Sequence, residues 1–194
     1  MTSKRAIPQA TPFRLGLRAA VCARFASCLI AWFGLLLPEY ARGEQSLEYQ
    51  VKAAFLLNFT KFIEWPPSAI PPDRPFSICI VGSDPFGGAL DQIVEGESAG
   101  GRKVVVERIH PPQAASCQIV FVGHLEKDLQ TFLSSLPPGI LTVGEGDFFL
   151  REGGQIAFVI ENRRVRFDIN QKAATTAGLK ISSKLLTVAR SVEK

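Results

Sequence analysis

Short apolar segments alternate with helix-like segments through the first half of this chain, and this alternation constrains the fold more than any other feature. Four segments rich in β-branched and aromatic residues predict buried strands: 76–82, 103–109, 118–122 and 140–143. Helical patterns follow the first of them, at 83–94, and the third, at 126–135. Strands separated by helices form right-handed βαβ units. We therefore expect a single-domain α/β sandwich, with helices flanking a mostly parallel sheet of about five or six strands.

The last third of the chain predicts a β-hairpin followed by helices. Residues 155–161 are apolar on both faces, which is typical of a strand inside a sheet. Residues 164–168 alternate between apolar and polar, and residues 162–163 form the turn between the two strands. The hairpin should add an antiparallel margin to the sheet.

A basic ribbon accompanies this hairpin. Arg163, Arg164 and Arg166 lie close together in the sequence, and the alternation predicts that Arg164, Arg166 and Asp168 point outward. With Glu161 and Asp168 beside them, the simpler expectation is cross-strand ion pairing on a solvated face. The alternative is a site for a phosphate group or an acidic partner.

Segment 48–66 has the pattern of an amphipathic helix that packs against the sheet. Its apolar face is expected to hold Val51, Phe55, Phe59, Phe62 and Ile63. Lys52 and Asn58 interrupt this face and need partners if they are buried. The two prolines after Trp65 forbid continuation, so the helix should end near Glu64.

The first 43 residues have the layout of a secretory signal peptide. A basic stretch is followed by an uncharged apolar run at 25–37, and Ala41-Arg42-Gly43 supplies small residues for cleavage after Gly43. A retained membrane anchor is the alternative, but 13 residues are too few to span a bilayer, which takes about 18 or more. We expect residues 44–194 to be a single periplasmic domain that does not insert into the membrane.

Removal of the leader changes the charge of the protein. The leader holds six of the 22 Lys and Arg residues and one of the 18 Asp and Glu residues, which leaves 16 against 17 and a net charge near −1. The basic pI of the whole chain therefore belongs to the leader, and nucleic acid is not an expected partner.

Two of the four cysteines leave with the leader, and Cys79 and Cys117 remain. An exported chain enters an oxidising compartment, where a disulfide between the two would stabilise the fold. Two reduced, buried thiols are the alternative.

The sequence offers little evidence for catalysis. His110 and His124 are the only histidines, and both fall at strand ends or turns, where solvated side chains are the better interpretation. We expect no catalytic residues, no metal site and no cofactor, because neither a ligand set for a metal nor a nucleophile motif occurs.

Two glycine-containing loops are candidate binding segments. Segment 82–88 joins a strand to the predicted helix start at Ser83-Asp84-Pro85, where backbone N–H groups could hold an anion, although a capped turn is simpler. Segment 144–147 is expected to be a turn that could line a crevice at the carboxyl edge of the sheet. The candidate ligand-binding or partner-binding residues are Lys52, Asn58, Trp65, Ser83, Asp84, Glu145, Arg164 and Arg166.

Several of these segments together resemble the YfiR family of bacterial periplasmic proteins. The opening signature is 48–66, from Glu-Tyr-Gln-Val-Lys through Ile-Glu-Trp-Pro, and 76–86, Phe-Ser-Ile-Cys-Ile-Val-Gly-Ser-Asp-Pro-Phe, follows it. The closing similarity runs through 140–146, 153–154, 164–170 and 177–183. The motifs occur in family order and cover almost all of 44–194.

The resemblance implies a regulator without catalysis. Members of the family bind the periplasmic sensor domain of an inner-membrane diguanylate cyclase and hold it inactive, and envelope or reductive stress releases the cyclase and favours biofilm growth. The family pattern can include two disulfides. Here Cys79 and Cys117 correspond to one pair, and the positions of a second pair are not cysteine.

A different class of function stays open beside this one. The chain could be a periplasmic small-ligand binder that reports to a sensor kinase or transporter. The sequence leaves the oligomeric state undecided, a homodimer included, and does not name the membrane partner.

Overall fold

The structure, a computed structural model, describes residues 37–110, 116–124 and 128–194, with side chains from Leu47 onward. Contacts divide the chain into Met1–Glu44 and Gln45–Lys194, and the fold described below belongs to the second unit. Most of the predicted signal peptide and the start of the predicted helix 126–135 lie outside the described residues. Cleavage after Gly43 therefore stays a prediction.

Helices and strands alternate along the chain as the sequence predicts. In chain order they are α1 (Leu37–Phe62), β1 (Ile63–Glu64), a 3₁₀ turn (Pro67–Ala69), β2 (Phe76–Val81), α2 (Ala89–Val94), β3 (Ser98–Ala99), β4 (Arg102–Ile109), β5 (Ile119–Val122), α3 (Leu129–Ser135), β6 (Leu141–Glu145), α4 (Gly146–Arg151), β7 (Ile156–Glu161), β8 (Arg164–Asn170), α5 (Gln171–Thr176), β9 (Lys180–Ile181), α6 (Ser183–Val188) and β10 (Ser191–Glu193).

The main sheet has eight strands in the order β10-β8-β7-β6-β5-β2-β4-β3, and β1 pairs with β9 in a separate two-stranded ladder. Strands β4, β2, β5, β6 and β7 are mutually parallel, whereas β8 is antiparallel to β7 and β3 is antiparallel to β4. The predicted α/β class with a mostly parallel sheet is confirmed. The strand number exceeds the expected five or six because the short strands β3 and β10 extend its two margins.

Helices cover both faces of the sheet. On one face, here called face A, α1, α2, α5 and α6 pack on a core that includes Ile78, Ile80, Phe121, Phe158 and Phe167. On the other, face B, α3 and α4 pack through Phe132 and Phe149 on Val81 and Val120. The strands in the middle of the sheet are therefore buried on both sides, which explains their continuous apolar runs.

Helix α1 turns a different side toward the sheet from the one predicted. Leu56 and Phe59 are fully buried, but Val51 is 38% exposed and Phe62 is 36% exposed. Asn58 is exposed and does not interrupt the buried face. The predicted face was centred on the phenylalanines, whereas the helix packs on the sheet through its alanine and leucine positions as well, which rotates the buried stripe.

Helix α2 begins later than its predicted N-cap. Its first residue is Ala89 and its N-cap is Gly88. Gly82 and Gly87 have positive φ angles, so the chain changes direction twice before the helix can start. The Asp84 carboxylate instead accepts a hydrogen bond from the Phe86 amide at 2.7 Å, which forms a turn.

The segment 144–146, predicted to be a turn, contains the end of β6 and the first residue of α4. Both Gly144 and Gly154 lie against the ring of the buried Phe149, where an added Cβ would come within 2.3 Å and 2.2 Å of ring carbons. These glycines make room for an aromatic ring, and that requirement is not visible in the local sequence.

Candidate functional site

The carboxyl ends of β2 and β5 meet where α2 leaves on face A and α3 on face B, which is the topological switch point of the sheet. Ligands of open α/β sheets bind in the crevice at such a point. Here hydrogen bonds close the gap between the two loops: the Ser83 amide donates to the His124 carbonyl at 3.2 Å, and the His124 amide donates to Ser83 Oγ at 3.1 Å. The Gly123 amide also donates to the Val81 carbonyl at 2.9 Å. Ser83 therefore links the two loops, and a cavity lined by Gly123, His124 and Glu145 lies beside this closure.

Gly123 is the tightest point of this closure. An added Cβ would lie 2.0 Å from the backbone oxygen of Ser83. We expect Gly123→Ala to lower the free energy of unfolding by about 2–4 kcal/mol, because backbone atoms must move to admit the methyl group. Gly88→Ala is the matched control, since the nearest atom there is the flexible Gln92 side chain at 3.9 Å, and its change should stay within about 1 kcal/mol. Equal urea midpoints for the two variants would contradict the closure.

Lys52 and Glu145 meet at the same edge of the sheet. The Lys52 side chain donates to Glu145 Oε1 at 2.6 Å and to the Glu48 carboxylate one helical turn away. Tyr49 donates to Glu145 Oε2 at 3.4 Å, and its ring lies 4.4 Å from Lys52 Nζ. Phe86 packs edge-on against Tyr49. Lys52 is only 3% exposed, and a buried charge needs partners. The two carboxylates are the partners that the sequence analysis predicts for Lys52.

The environment of Lys52 favours its charged form. Burial alone would lower the pKa of Lys52, but the hydrogen bonds to Glu145 and Glu48 outweigh burial and raise this pKa above its ordinary value. The pKa of Tyr49 is also raised, first by burial and then by the negative charge of Glu145. Because both raised pKa values favour the protonated forms, the cluster is most stable below about pH 10, near the unfolded-state pKa values of Tyr and Lys.

We expect this cluster to lose its contribution to stability as the pH rises above about 10. A group with a raised folded-state pKa stabilises the fold fully below its unfolded-state pKa and stops doing so as the pH passes its folded-state value. Urea unfolding of the Tyr49→Phe protein and of the Tyr49→Phe/Lys52→Met protein, from pH 8 to 11.5, isolates Lys52. The lysine-containing protein should lose more stability over this range, and parallel pH curves would refute the assignment.

Asp84 belongs to a second cluster, which Arg108 on β4 organises. Arg108 Nε donates to Asp84 at 2.8 Å, and its two terminal nitrogens donate to the Asp91 carboxylate at 3.0 Å and 2.6 Å. The hydrogen bond from Arg108 lowers the pKa of Asp91, and the same contact raises the pKa of Arg108. Arg108 thus fastens the β2–α2 loop to β4. No local sequence pattern indicates a role for Arg108, because its partners are distant along the chain.

Trp65 lies at the opposite edge of the sheet from Lys52. Its indole nitrogen donates to the Gln118 carbonyl at 3.1 Å, and its ring packs edge-on against Phe76 with centroids 5.0 Å apart. Both partners stand at the amino ends of their strands, so Trp65 fixes the exit of α1. Tyr49, on α1, lies at the carboxyl edge of the sheet, and Trp65, just after the end of α1, lies at the amino edge. Helix α1 therefore runs antiparallel to the central strands.

The basic ribbon of the hairpin does not form the predicted ion pairs. In the described part of the chain, neither Arg164 nor Arg166 has a carboxylate within 4.0 Å, although Arg164 stands opposite Glu161 in the register. Asp168, predicted to point outward, is buried and pairs with Arg190. The C-terminal strand β10 returns alongside β8 and brings Arg190 to this carboxylate.

Cys79 and Cys117 are joined by a disulfide, with Cα atoms 5.9 Å apart. Cys79 lies on β2 and Cys117 just precedes β5, and both belong to the face B core. They are 0% and 2% exposed. The bond is therefore part of the core and is remote from solvent in the folded state.

The described residues contain neither a metal-binding cluster nor a membrane-spanning helix. Across 37–110, 116–124 and 128–194, no group of three or more His, Cys, Asp or Glu side chains is arranged to hold a metal ion. In the same residues no helix combines the length and the apolar character needed to cross a membrane.

Two solved structures are similar to this chain at low identity and low TM-score. One is the ABC domain from Streptococcus pneumoniae in complex with L-Trp, with 12% identity and a TM-score of 0.44 over 70% of this chain and 58% of that one. The other is a conserved domain protein from Vibrio cholerae, with 13% identity and a TM-score of 0.43 over 66% of this chain and 57% of that one. The chain thus spans less than two thirds of either protein. No curated protein matches its sequence.

The sequence of the folded unit, in contrast, matches a known family along nearly its whole length. The match runs over residues 49–190. It begins at Tyr49, which belongs to the Lys52 cluster, and ends at Arg190, which forms an ion pair with the buried Asp168. It therefore includes every strand of the main sheet except β10. The chain belongs to the YfiR/HmsC-like family.

Proposed function

We propose that this protein is a non-catalytic periplasmic regulator that binds the periplasmic sensor domain of an inner-membrane diguanylate cyclase and holds the cyclase inactive. The observation that carries the proposal is the family match over residues 49–190. The characteristic role of the family is repression of such a cyclase. Loss of the protein would then raise cyclic di-GMP and favour biofilm growth.

The geometry of the candidate site supports binding between proteins over catalysis. The buried Lys52 is neutralised by two carboxylates, and Ser83 is engaged with His124. The hydrogen bonds across the switch point weigh against the alternative of a small-ligand binder, because that fold class places its ligands there. A cavity lined by Gly123, His124 and Glu145 lies at the same edge, and the thermal-shift screen described below tests whether it takes a ligand.

The disulfide supports a periplasmic location. A bond between Cys79 and Cys117 forms in an oxidising compartment, whereas the cytosol keeps the cysteines of an unfolded chain reduced. The leader 1–43 supplies the route of export, and N-terminal sequencing of the protein from periplasmic extract should begin at Glu44. An intact N-terminus in the membrane fraction would favour the retained anchor.

The proposal is tested by deleting the gene and measuring cyclic di-GMP. The nucleotide should rise, and the full-length gene should restore the original level. A gene encoding 44–194 without the leader is the control, since its product stays in the cytoplasm and should not restore repression. Unchanged cyclic di-GMP in the deletion strain, with its membrane cyclases expressed, would overturn the cyclase assignment.

The same strains identify the partner. Crosslinking the protein in its own periplasm should capture a diguanylate cyclase that has a periplasmic domain. A thermal-shift screen separates the small-ligand alternative, because a ligand that binds the folded state raises the melting temperature. A strong shift with a small molecule, together with no effect of deletion on cyclic di-GMP, would favour that alternative.

A further inference from the structure

We propose that the exposed end of the β7–β8 hairpin is the surface that binds the partner, and that the partner contributes an acidic protein segment. This surface, the hairpin patch, consists of Arg163 at the tip and of Arg164 and Arg166 on face B of β8. The inference rests on the proposed function and deepens it by naming the docking surface and the chemistry of what docks there.

The hairpin patch carries an excess of positive charge. Its three arginines lie within four residues, and in the described part of the chain none has a carboxylate within ion-pair distance. The two acidic residues nearest along the hairpin compensate them only in part. Glu161 stands opposite Arg164 but has no cation within ion-pair distance among the described residues, and Asp168 is already held by Arg190. Arginine forms bidentate hydrogen bonds with carboxylates, so an acidic segment is the complementary partner.

The turn itself retains an arginine where glycine would be more stable. Asn162 and Arg163 have φ angles of +50° and +60°, as a two-residue hairpin turn with the twist of the sheet requires. Glycine adopts this conformation freely, whereas an arginine there costs about 1 kcal/mol. The side chain of Arg163 is therefore presented at the tip of the hairpin despite its conformational cost.

The other face of the hairpin is apolar. Ile160 is 51% exposed and stands directly opposite Val165 in the hairpin register, and the two extend the face A core toward the tip. Successive side chains of a strand point to opposite faces, so Arg164 and Arg166 lie on face B, away from Ile160. The hairpin patch is therefore a charged surface, and Ile160 lies outside it.

Charge also indicates which kind of partner binds the hairpin patch. Two hairpin patches facing each other would bring six arginines together, so a second copy of this chain is disfavoured. An anionic membrane surface is disfavoured because residues 44–194 carry a net charge near −1 and the patch holds no apolar side chain that could enter the lipid. A segment of a partner protein that presents several Asp or Glu residues fits the observations.

The test compares two triple variants with equal charge change. Arg163→Gln/Arg164→Gln/Arg166→Gln removes the charges of the hairpin patch, and Lys172→Gln/Lys180→Gln/Lys184→Gln removes three charges elsewhere. Each protein, purified from periplasm, is titrated against the host's periplasmic-domain diguanylate cyclases in nanodiscs of zwitterionic lipid. The arginine variant should bind the cyclase at least tenfold more weakly, with less dependence on salt, and the lysine variant should bind within about twofold of the original protein.

A second variant tests whether binding is confined to the arginine face. Ile160→Ser changes the opposite face of the hairpin and removes no charge, so it should bind the cyclase within about twofold of the original protein. All the replaced residues are exposed or half-buried, so the variants should keep the melting temperature of the original protein within a few degrees. That measurement separates loss of binding from loss of folding.

The outcomes distinguish the inference from the function on which it rests. If the arginine variant binds the cyclase as tightly as the original protein, whatever the Ile160→Ser variant does, the hairpin patch is wrong and the proposed function stands. If the original protein binds none of the cyclases, both fail. Loss of binding to anionic vesicles with cyclase binding intact would assign the patch to a membrane. A dimer that the arginine variant dissociates would assign it to a second copy.

Discussion

Replacing Cys79 and Cys117 together with alanine should lower the free energy of unfolding by about 3–4 kcal/mol. The disulfide joins residues 38 apart in the sequence, and a crosslink over that distance removes substantial entropy from the unfolded chain. Both sulfur atoms lie in the face B core, so the substitution also leaves space that neighbouring side chains fill only in part. Urea unfolding of protein purified from periplasm measures the difference.

The reduced original protein is the matched control for this variant. Unfolded in urea with reductant and refolded with reductant, it should approach the stability of the double alanine variant. A variant within 1 kcal/mol of the oxidised protein would contradict a stabilising role for the bond.

Burial of the bond further predicts how it responds to reductant. A thiolate must reach a sulfur atom to break a disulfide, and Cys79 and Cys117 are almost fully enclosed. The folded protein should therefore keep its bond in reductant that reduces the urea-unfolded protein completely, as followed by the mass of two added hydrogens. Rapid reduction of the folded protein would instead support a redox sensor that opens locally.

The central sheet was predictable because its signals are local. Each parallel strand is an apolar run bounded by glycine, proline or polar residues, and these bounds identify β2, β5 and β6 to within two residues. The turn at 162–163 was predictable for the same reason, since a two-residue connection between two apolar strands allows few geometries. These features depend on residues that are adjacent in the sequence.

The errors share a different physical origin, which is contact between distant parts of the chain. Alternation predicted Asp168 outward, but β10 returns from the C-terminus and covers it with Arg190. The start of α2 moved because Asp84 is held in a turn and pairs with Arg108 on β4. Local pattern shows that a charge needs a partner, as it did for Lys52, but it does not show which partner the fold supplies.

The candidate site was predictable only in part. Lys52 and Glu145 were both singled out, and the structure brings them together with Glu48 and Tyr49, which were not. Trp65 was singled out by its position before a proline and proved to be a packing residue. A hydrogen-bonded ion pair between a helix and a strand 93 residues further along the chain has no local signature.

Replacing Arg190 with methionine should lower the free energy of unfolding far more than removing its exposed partner Asp147 does, because it leaves the Asp168 carboxylate buried without a charge partner. Asp168 is almost fully enclosed, whereas Arg190 is partly exposed, so water can reach the vacated side and the cost falls below that of a fully buried pair. The hydrogen bonds to Asp168 also raise the pKa of Arg190, which keeps the guanidinium charged over the whole range in which the protein folds. Urea unfolding at pH 7 measures the loss.

Two controls separate the buried pair from its exposed neighbour. Asp147 also contacts Arg190, at 3.2 Å, but its side chain is largely solvated, so Asp147→Asn should cost no more than about 1 kcal/mol. Combining Arg190→Met with Asp168→Asn removes both charges, and this double variant should be less destabilised than the sum of the two single variants. Strict additivity would show that the two side chains stabilise the fold independently. Because β10 pairs with β8 at Asp168–Asn170, amide hydrogens of Ser191–Glu193 should exchange faster in the Arg190 variant than in the Asp147 variant.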